Sequence, residues 1–321
     1  MKNVYDLLII GAGVSGSVLA YSLIKNGFKG KIAIIENGRN LGGRSSMRTS
    51  LKNNGWILNH GSPNFNILNC KNDKLLNEFL NDLLKKNFIS LDDSRFFEFD
   101  SDLTASSIKE NIFYQGNVYS AKFSMSNLFA NLLEEGAKLN KIKFFLSTLI
   151  TDLYFSNNKW IVSSSKEEFH AKFIISSSNL ILHKRSIEIF KKSDIPIREA
   201  IPHGKSKTID TLIDILDKQI SIKRINYLIY PNKNYNYKEN KIKDNINFIF
   251  NEKAEKKFGF ERIIFQKQNS QKMGIVIHTK SELIDSITED KLEINNKLIQ
   301  TFNYIFKDSN LINQIFDYED I

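Results

Sequence analysis

The sequence predicts an α/β fold built on a parallel sheet, and three features carry that expectation. The first is a short apolar run, Leu7 to Ile10, that leads straight into Gly11-Ala12-Gly13-Val14-Ser15-Gly16. The second is a helix-like segment followed by another β-branched run, Lys31-Ile32-Ala33-Ile34-Ile35, which ends on an acid, Glu36. The third is a later run, Phe169 to Ile175, that ends in Ser176-Ser177-Ser178 and would return the chain to the same sheet. Strand, glycine turn, helix, strand and acid, in that order, form the βαβ fingerprint of dinucleotide binding.

Each residue of the fingerprint has a physical task. Gly11 permits the tight turn, Gly13 lets the backbone approach a pyrophosphate, and Gly16 lets the helix pack closely on the sheet. With Val14 and Ser15 they open a helix whose unpaired N–H groups and partial positive charge favour a diphosphate. Glu36 lies twenty residues past Gly16, where an acid accepts hydrogen bonds from ribose hydroxyls, and Asn37 stands beside it. A second motif, Gly42-Gly43-Arg44, follows within a few residues. The competing reading, a buried βαβ unit whose glycines serve turns alone, leaves this second motif without a purpose.

Composition narrows the class. A chain of 321 residues can build two connected domains with a sizeable core. The net charge of +9 invites a nucleic-acid partner, but the lysines are spread along the chain among asparagines and isoleucines. That is a background bias, and no nucleic-acid partner is expected. A lone cysteine, Cys70, excludes an intramolecular disulfide, and the five histidines show no metal-ligand spacing. The cytoplasm is the expected compartment. The uncharged stretch from Leu7 to Ile24 is long enough to raise a membrane span, yet it opens like a strand and holds three glycines and three serines. With no small-residue cleavage site near the N-terminus either, neither a span nor a signal peptide is expected.

Further elements follow in order. A first helix is expected from Ser15 to Asn26, with Gly27 as its left-handed stop and Ala20 against the sheet. Ser45-Ser46-Met47-Arg48-Thr49 is polar and expected to line a cofactor groove, and Trp56 to Phe65 reads as a short strand entering a constrained loop. Helical spacing of Leu75, Leu76, Phe79, Leu80, Leu83 and Leu84 predicts a helix over Asp73 to Lys86. Phe96 to Phe113 lacks clean periodicity and is expected to cross into a second domain. Ser124 can cap a helix carrying Leu128, Phe129, Leu132 and Leu133, expected to stop at Gly136. Strands are expected at Lys143–Leu146, Ile150–Phe155 and Trp160–Ser163, the last two joined as a hairpin by Ser156-Asn157-Asn158-Lys159. Beyond His183, Thr208–Asp217 is amphipathic, and strands are expected at Ile225–Tyr230, Ile246–Phe250 and Met273–His278. A lysine- and asparagine-rich loop separates the first two of these strands, and a helix over Leu292–Phe306 follows the third.

With the acid and Gly42-Gly43-Arg44 in hand, the chain resembles the flavin-dependent amine oxidase superfamily, and within it the renalase-like group. The resemblance implies FAD rather than NAD, with the acid on the adenosine ribose and the Gly-Gly-Arg loop along the pyrophosphate and ribityl chain. It also implies that Asn59-His60-Gly61-Ser62-Pro63-Asn64-Phe65 matches the family's Asp-His-Gly-Ala-Gln-Tyr-Phe segment beside the flavin ring. His60, Gly61 and Phe65 agree with that pattern, and the acid and the Ala-Gln-Tyr core do not. Only the first 65 residues match with specificity. The Gly116–Met125 passage, the hairpin at Trp160 and the Met273–Leu283 stretch are similar in pattern. The family's closing Gly-Asp motif has no counterpart, because Gly274 is the last glycine. The expectation is therefore a naturally short form, a fragment, or a site completed by another chain.

The fold class implied is a Rossmann-like FAD-binding domain, with a parallel sheet, helices and a β-hairpin or meander, plus a mixed α+β substrate-binding domain. The FAD-binding domain is expected at 1–70 and 110–180 with part of 272–321, and the substrate-binding cap at 71–109 and 181–271. The function implied is an FAD-dependent oxidoreductase of renalase type: hydride transfer from a dihydronicotinamide-type small molecule to FAD, reoxidised by dioxygen to give hydrogen peroxide. An amine donor, a degenerate dinucleotide-binding protein without activity, and an NAD dehydrogenase remain the alternatives; Gly42-Gly43-Arg44 speaks against the last. Gly11, Gly13, Val14, Ser15, Gly16, Glu36, Asn37, Gly42, Gly43, Arg44, His60 and Gly61 are the expected cofactor-binding residues. His60 and Arg48 are candidates for the flavin edge, each with a structural reading beside it, and no acid–base constellation stands out. Oligomeric state is left open.

Overall fold

In the computed structural model, which describes residues 3–50, 56–67, 73–108, 116–220, 224–230, 245–268, 273–280 and 291–308, β1 (Asn3–Ile10) runs through a glycine turn into α1 (Val14–Lys25). Then come β2 (Ile32–Ile35), a 3-10 turn at Gly43–Ser45, β3 (Arg48–Ser50), β4 (Trp56–Leu58) and β5 (Asn64–Ile67). They are followed by α2 (Lys74–Lys85), β6 (Ile89–Leu91), β7 (Arg95–Phe99), β8 (Ala105–Ser107), β9 (Asn117–Ala121) and α3 (Met125–Lys138). Next are β10 (Ile142–Phe145), β11 (Ile150–Ser156), β12 (Lys159–Ser164), β13 (Glu168–Ser176), α4 (Arg185–Phe190), α5 (Ile197–Ala200) and α6 (Lys207–Asp217). The chain continues through β14 (Asn226–Ile229), β15 (Ile246–Phe250), α7 (Glu252–Phe258), β16 (Phe260–Lys267), β17 (Met273–Thr279) and α8 (Lys291–Asp308).

These elements form two compact units, Met1–Ser46 with Met125–Ser221, and Met47–Ser124 with Ile222–Ile321. The divisions differ from the expected ones at 70, 110 and 180. The segment 47–70 belongs to the second unit, where β3 pairs with β4 and β5 with β9. Residues 181–221 belong to the first, because Ile181, Ile195, Ile197 and Ile213 bury themselves in its core. The 272–321 segment sides with the second unit, through the pairing of β17 with β16.

In the first unit one sheet has the order β10-β2-β1-β13-β12-β11. β10, β2, β1 and β13 are parallel, and the β11–β12 hairpin continues the sheet antiparallel. Every residue of Ile32–Ile35 is buried, as expected of a parallel strand covered on both faces. The hairpin turns on Asn157 and Asn158, both at positive φ (51° and 57°), which matches the right-handed twist of its strands. α1 ends as expected, with Gly27 at φ 82° and Phe28 N–H donating to the Leu23 carbonyl at 2.9 Å.

The end of α3 is a correction. The helix does not stop at Gly136 but runs through it to Lys138. Asn140, at φ 54°, supplies the left-handed residue, and Lys141 N–H closes the end by donating to the Gly136 carbonyl at 2.9 Å. Gly136 serves close packing instead: a Cβ there would lie 2.5 Å from Ile142 Cδ1 and 3.2 Å from Ile24 Cγ1.

In the second unit a sheet of order β14-β17-β16-β15-β7-β8 is antiparallel except for the β15–β7 pair. One face buries Phe99, Phe248 and Phe265 with Leu298, Phe302 and Ile305 of α8. The Phe99 and Phe248 rings stack at 4.8 Å. On the other face Leu58 of β4 lies directly over Gly274, where a Cβ would sit 2.3 Å from Leu58 Cδ2, beside buried Ile264 and Val276. Several elements here escaped the pattern reading, among them β6, β7, β8, β9, α7 and β16. α7 is too short to show a period and buries only Ala254 and Phe258. Its caps are nonetheless legible: Asn251 accepts from Ala254 N–H at 3.0 Å, and Gly259 follows at φ 72°. Cys70, the 109–113 part of the Phe96–Phe113 passage, the lysine- and asparagine-rich loop 231–244 and the tail from 309 lie outside the described residues.

Gly136 separates two effects of opposite sign. In a solvated helix Gly→Ala stabilises by about 1 kcal/mol; here the added methyl meets the buried Ile142, and overpacking of roughly 1–3 kcal/mol wins. Gly136→Ala is therefore expected to lower the thermal midpoint, read by circular dichroism, and a raised midpoint would refute the packing role.

Candidate dinucleotide-binding site

The site is assembled where β1 hands over to α1. Gly11 leaves the strand at φ 105°, its N–H donating to the Ile35 carbonyl at 2.7 Å, so the turn is tied to the end of β2. Gly16 then packs so tightly under the turn that a Cβ would lie 2.1 Å from the Gly11 carbonyl oxygen. A Cβ on Gly13 would meet nothing within 4 Å, which leaves open space above the turn. Gly13 caps α1 without any side-chain hydrogen bond, and Val14 and Ser15 are exposed. An open helix N-terminus with its first N–H groups uncapped by side chains is what a diphosphate requires.

The second glycine motif closes on the first. Gly42 N–H donates to the Ala12 carbonyl at 2.9 Å, and Gly13 and Gly42 form a parallel bridge. Gly43, at φ 54°, comes so near that a Cβ would lie 3.2 Å from Gly13 Cα. The two motifs are thus one structure, with Gly43 and Arg44 exposed at its rim. Glu36 joins the parts: its carboxylate accepts from Ala12 N–H at 2.8 Å and from Gly38 N–H at 2.6 Å. A carboxylate has about four lone-pair sites, so the two oxygens are oriented and retain capacity for ribose hydroxyls. Asn37 is exposed beside it. These residues fit a dinucleotide.

Sequence reasoning missed Ser177. Its hydroxyl donates to the Gly11 carbonyl at 2.8 Å, and its N–H donates to the Ile10 carbonyl at 2.9 Å, so the end of β13 braces the turn from below. The small-residue run directly after a strand was the available signal.

His60, Gly61 and Arg48 are not in the unit that holds the glycine motifs; they belong to the second. There the backbone of Ile57 to His60 is gripped by side chains of the sheet. Gln268 accepts from Ile57 N–H at 3.0 Å and donates to its carbonyl at 2.9 Å. Gln266 does the same for Asn59, at 2.8 Å in both directions. The His60 carbonyl accepts from Asn226 Nδ2 at 2.5 Å and from His278 Nε2 at 3.1 Å, which requires the Nε2–H form of His278. Burial holds the His278 imidazole down at about 4, with the Arg262 guanidinium adding to the shift. Burial also lowers His60, helped by Arg48, while it raises the Tyr230 phenol against the opposing pull of Arg48. This imidazole pair stays neutral at ordinary pH. Among the described residues no cluster of three or more His, Cys, Asp or Glu side chains could hold a metal, and no helix is long and apolar enough to cross a membrane.

Residues 9–83 match the model of the NAD(P)-binding Rossmann-like domain family. No curated protein sequence matches the chain. Among solved structures, a CLA-producing fatty acid isomerase from P. acnes is similar at TM-score 0.60 and 9% identity, over 94% of this chain and 82% of that one. A putrescine oxidase redesigned in its cofactor binding is similar at TM-score 0.59 and 11% identity, over 98% of this chain and 84% of that one. At such identities the likeness is one of fold. The fold is a Rossmann-like dinucleotide-binding α/β architecture with mixed sheets.

Two outcomes follow from this geometry. Gly16→Ala forces a methyl into the Gly11 carbonyl, so a loss of about 3 kcal/mol or more in unfolding free energy is expected in denaturant titration. A variant as stable as the parent would refute the close approach. For His278, whose value falls from the ordinary 6.5 to about 4 on folding, the unfolded chain binds more protons within that window. Stability therefore falls as pH drops through it, by on the order of 3 kcal/mol at the acid end. His278→Gln, which keeps a donor for the His60 carbonyl, should show a flatter acid limb than the parent in pH-dependent thermal melts.

Proposed function

We propose that this protein is an FAD-dependent oxidoreductase in which the first unit holds FAD and the second offers a substrate-binding sheet. The observation that carries the reading is the packing of Gly43 on Gly13, which extends the diphosphate cradle by a second backbone loop ending in Arg44. An NAD dehydrogenase has no need of that loop. When bound, FAD would supply the redox chemistry, a two-electron oxidation of a dihydronicotinamide-type donor with dioxygen as the final acceptor and hydrogen peroxide as the product.

The chain's own part is binding and orientation. The α1 N-terminus and the exposed Arg44 neutralise the diphosphate, and Glu36 receives the adenosine ribose hydroxyls. Arg48 and the neutral His60 give the second unit a cation and an uncharged imidazole for a small-molecule substrate. The likeness to a putrescine oxidase makes an amine the competing donor.

Titration of the purified protein with FAD, followed by anaerobic mixing with donors, tests the reading. Uptake of FAD and bleaching of its visible absorbance by dihydronicotinamides but not by amines is expected. Bleaching by amines alone would overturn the donor assignment, and protein that takes up no FAD would overturn the whole reading. Glu36→Ala removes a charged acceptor and should weaken FAD binding by about 10-fold or more, measured by flavin fluorescence. An unchanged dissociation constant would end the ribose assignment.

A further inference from the structure

In the β3–β4 ribbon of the second unit Arg48 stands directly opposite Leu58, and Ser50 opposite Trp56. Residues opposite one another in an antiparallel pair share a face, as do residues two apart along a strand. Leu58 lies over Gly274 of the sheet, so the face that carries Arg48, Trp56 and Leu58 is turned toward β14 and β17. There the Trp56 ring meets the Tyr230 ring edge-on, with centroids 6.0 Å apart. Leu228 and Tyr230 pack against Leu58, Ile264 and Val276 and stay only partly buried. Arg48 is exposed, level with Leu58 and midway in register between Trp56 and His60.

The other guanidinium groups that act on His278 are engaged within the fold. Arg224 pairs with the Glu261 carboxylate, and Arg262 donates to Asn247 Oδ1 at 3.1 and 2.6 Å. Arg48 forms no ion pair among the described residues. Its charge nevertheless reaches both ends of the face. It adds to the burial that lowers the His60 imidazole, and it opposes the rise that burial imposes on the Tyr230 phenol. Both groups are therefore uncharged at ordinary pH, and neither answers the guanidinium with a negative charge. A guanidinium among neutral groups on a partly apolar face attracts an oxyanion in the bidentate manner and repels an ammonium.

We propose that Arg48 anchors a substrate subsite of the second unit that takes an oxyanion, a carboxylate or a phosphate, on a molecule whose apolar body lies along Tyr230 and Leu228. This rests on the oxidoreductase reading above for the role of the unit, and it narrows the donor. An anionic dihydronicotinamide-type compound is favoured, and a cationic amine is repelled. A purely structural arginine would pair with a carboxylate of the fold, as Arg224 does with Glu261 and Arg198 with Asp210.

Two ligand pairs that differ by one anionic group supply the test: nicotinate with nicotinamide, and dihydronicotinamide mononucleotide with dihydronicotinamide riboside. Binding to the FAD-free protein is measured by calorimetry for the parent, Arg48→Gln and Arg48→Lys, with thermal melting as a check of the fold. In the parent the anionic member of at least one pair is expected to bind about 10-fold or more tighter than its neutral counterpart. The pair that shows the preference tells carboxylate from phosphate. Arg48→Lys should keep part of the preference, and Arg48→Gln should abolish it at an unchanged melting midpoint. No preference in either pair, or a preference that survives in Arg48→Gln, would overturn the proposal. Protein that shows the preference but takes up no FAD loses the oxidoreductase reading and keeps the subsite. Protein that takes up FAD and is bleached by dihydronicotinamides, yet shows no preference, loses the subsite alone.

Discussion

The contact between Gly43 and Gly13 is the constraint around which the first unit is arranged. A Cβ on Gly43 would lie 3.2 Å from Gly13 Cα, and the Gly13–Gly42 bridge holds the two backbone segments there. For this to happen β1 must end at Ile10, α1 must start at Val14 and Glu36 must directly follow β2. Glu36 then ties the arrangement with two hydrogen bonds to backbone N–H groups, Ala12 in the turn and Gly38 just past β2. A carboxylate accepting charge-assisted bonds in this way is both a brace and a preset acceptor. Ser177 braces the same turn from the neighbouring strand.

The second unit uses a different device. Four side chains of its sheet, Gln266, Gln268, Asn226 and His278, bond to the backbone of Ile57, Asn59 and His60 rather than to their side chains. Recognition through backbone groups fixes the path of the segment. It also explains why His278 must be neutral there: a buried imidazolium would have to be desolvated beside the Arg262 and Arg224 guanidinium groups.

Local patterns were legible wherever the cause is local. The Asn157-Asn158 turn and the Gly27 stop follow from what those residues permit in their own backbone. Gly136 was misread for the same reason. A glycine late in a helix is usually a terminator, and only the approach of Ile24 and Ile142, distant from each other in sequence, makes it a packing residue. β16 has no turn of its own strong enough to announce it, and α7 has too few residues for a period. The domain divisions depend on which core buries isoleucines such as Ile195 and Ile213, and no local signal reports that.

By itself, the sequence determined the βαβ unit, its glycine turn and its acid, because strand, turn and helix propensities act over a few residues and their order along the chain is the motif. Only the tertiary structure decided that Gly42 and Gly43 lie on that turn and that Ser177 braces it from β13. It alone also assigned His60 and Arg48 to the other unit. These relations join residues far apart in the chain. They arise from the burial of whole faces of sheets and helices, and no single segment carries that information.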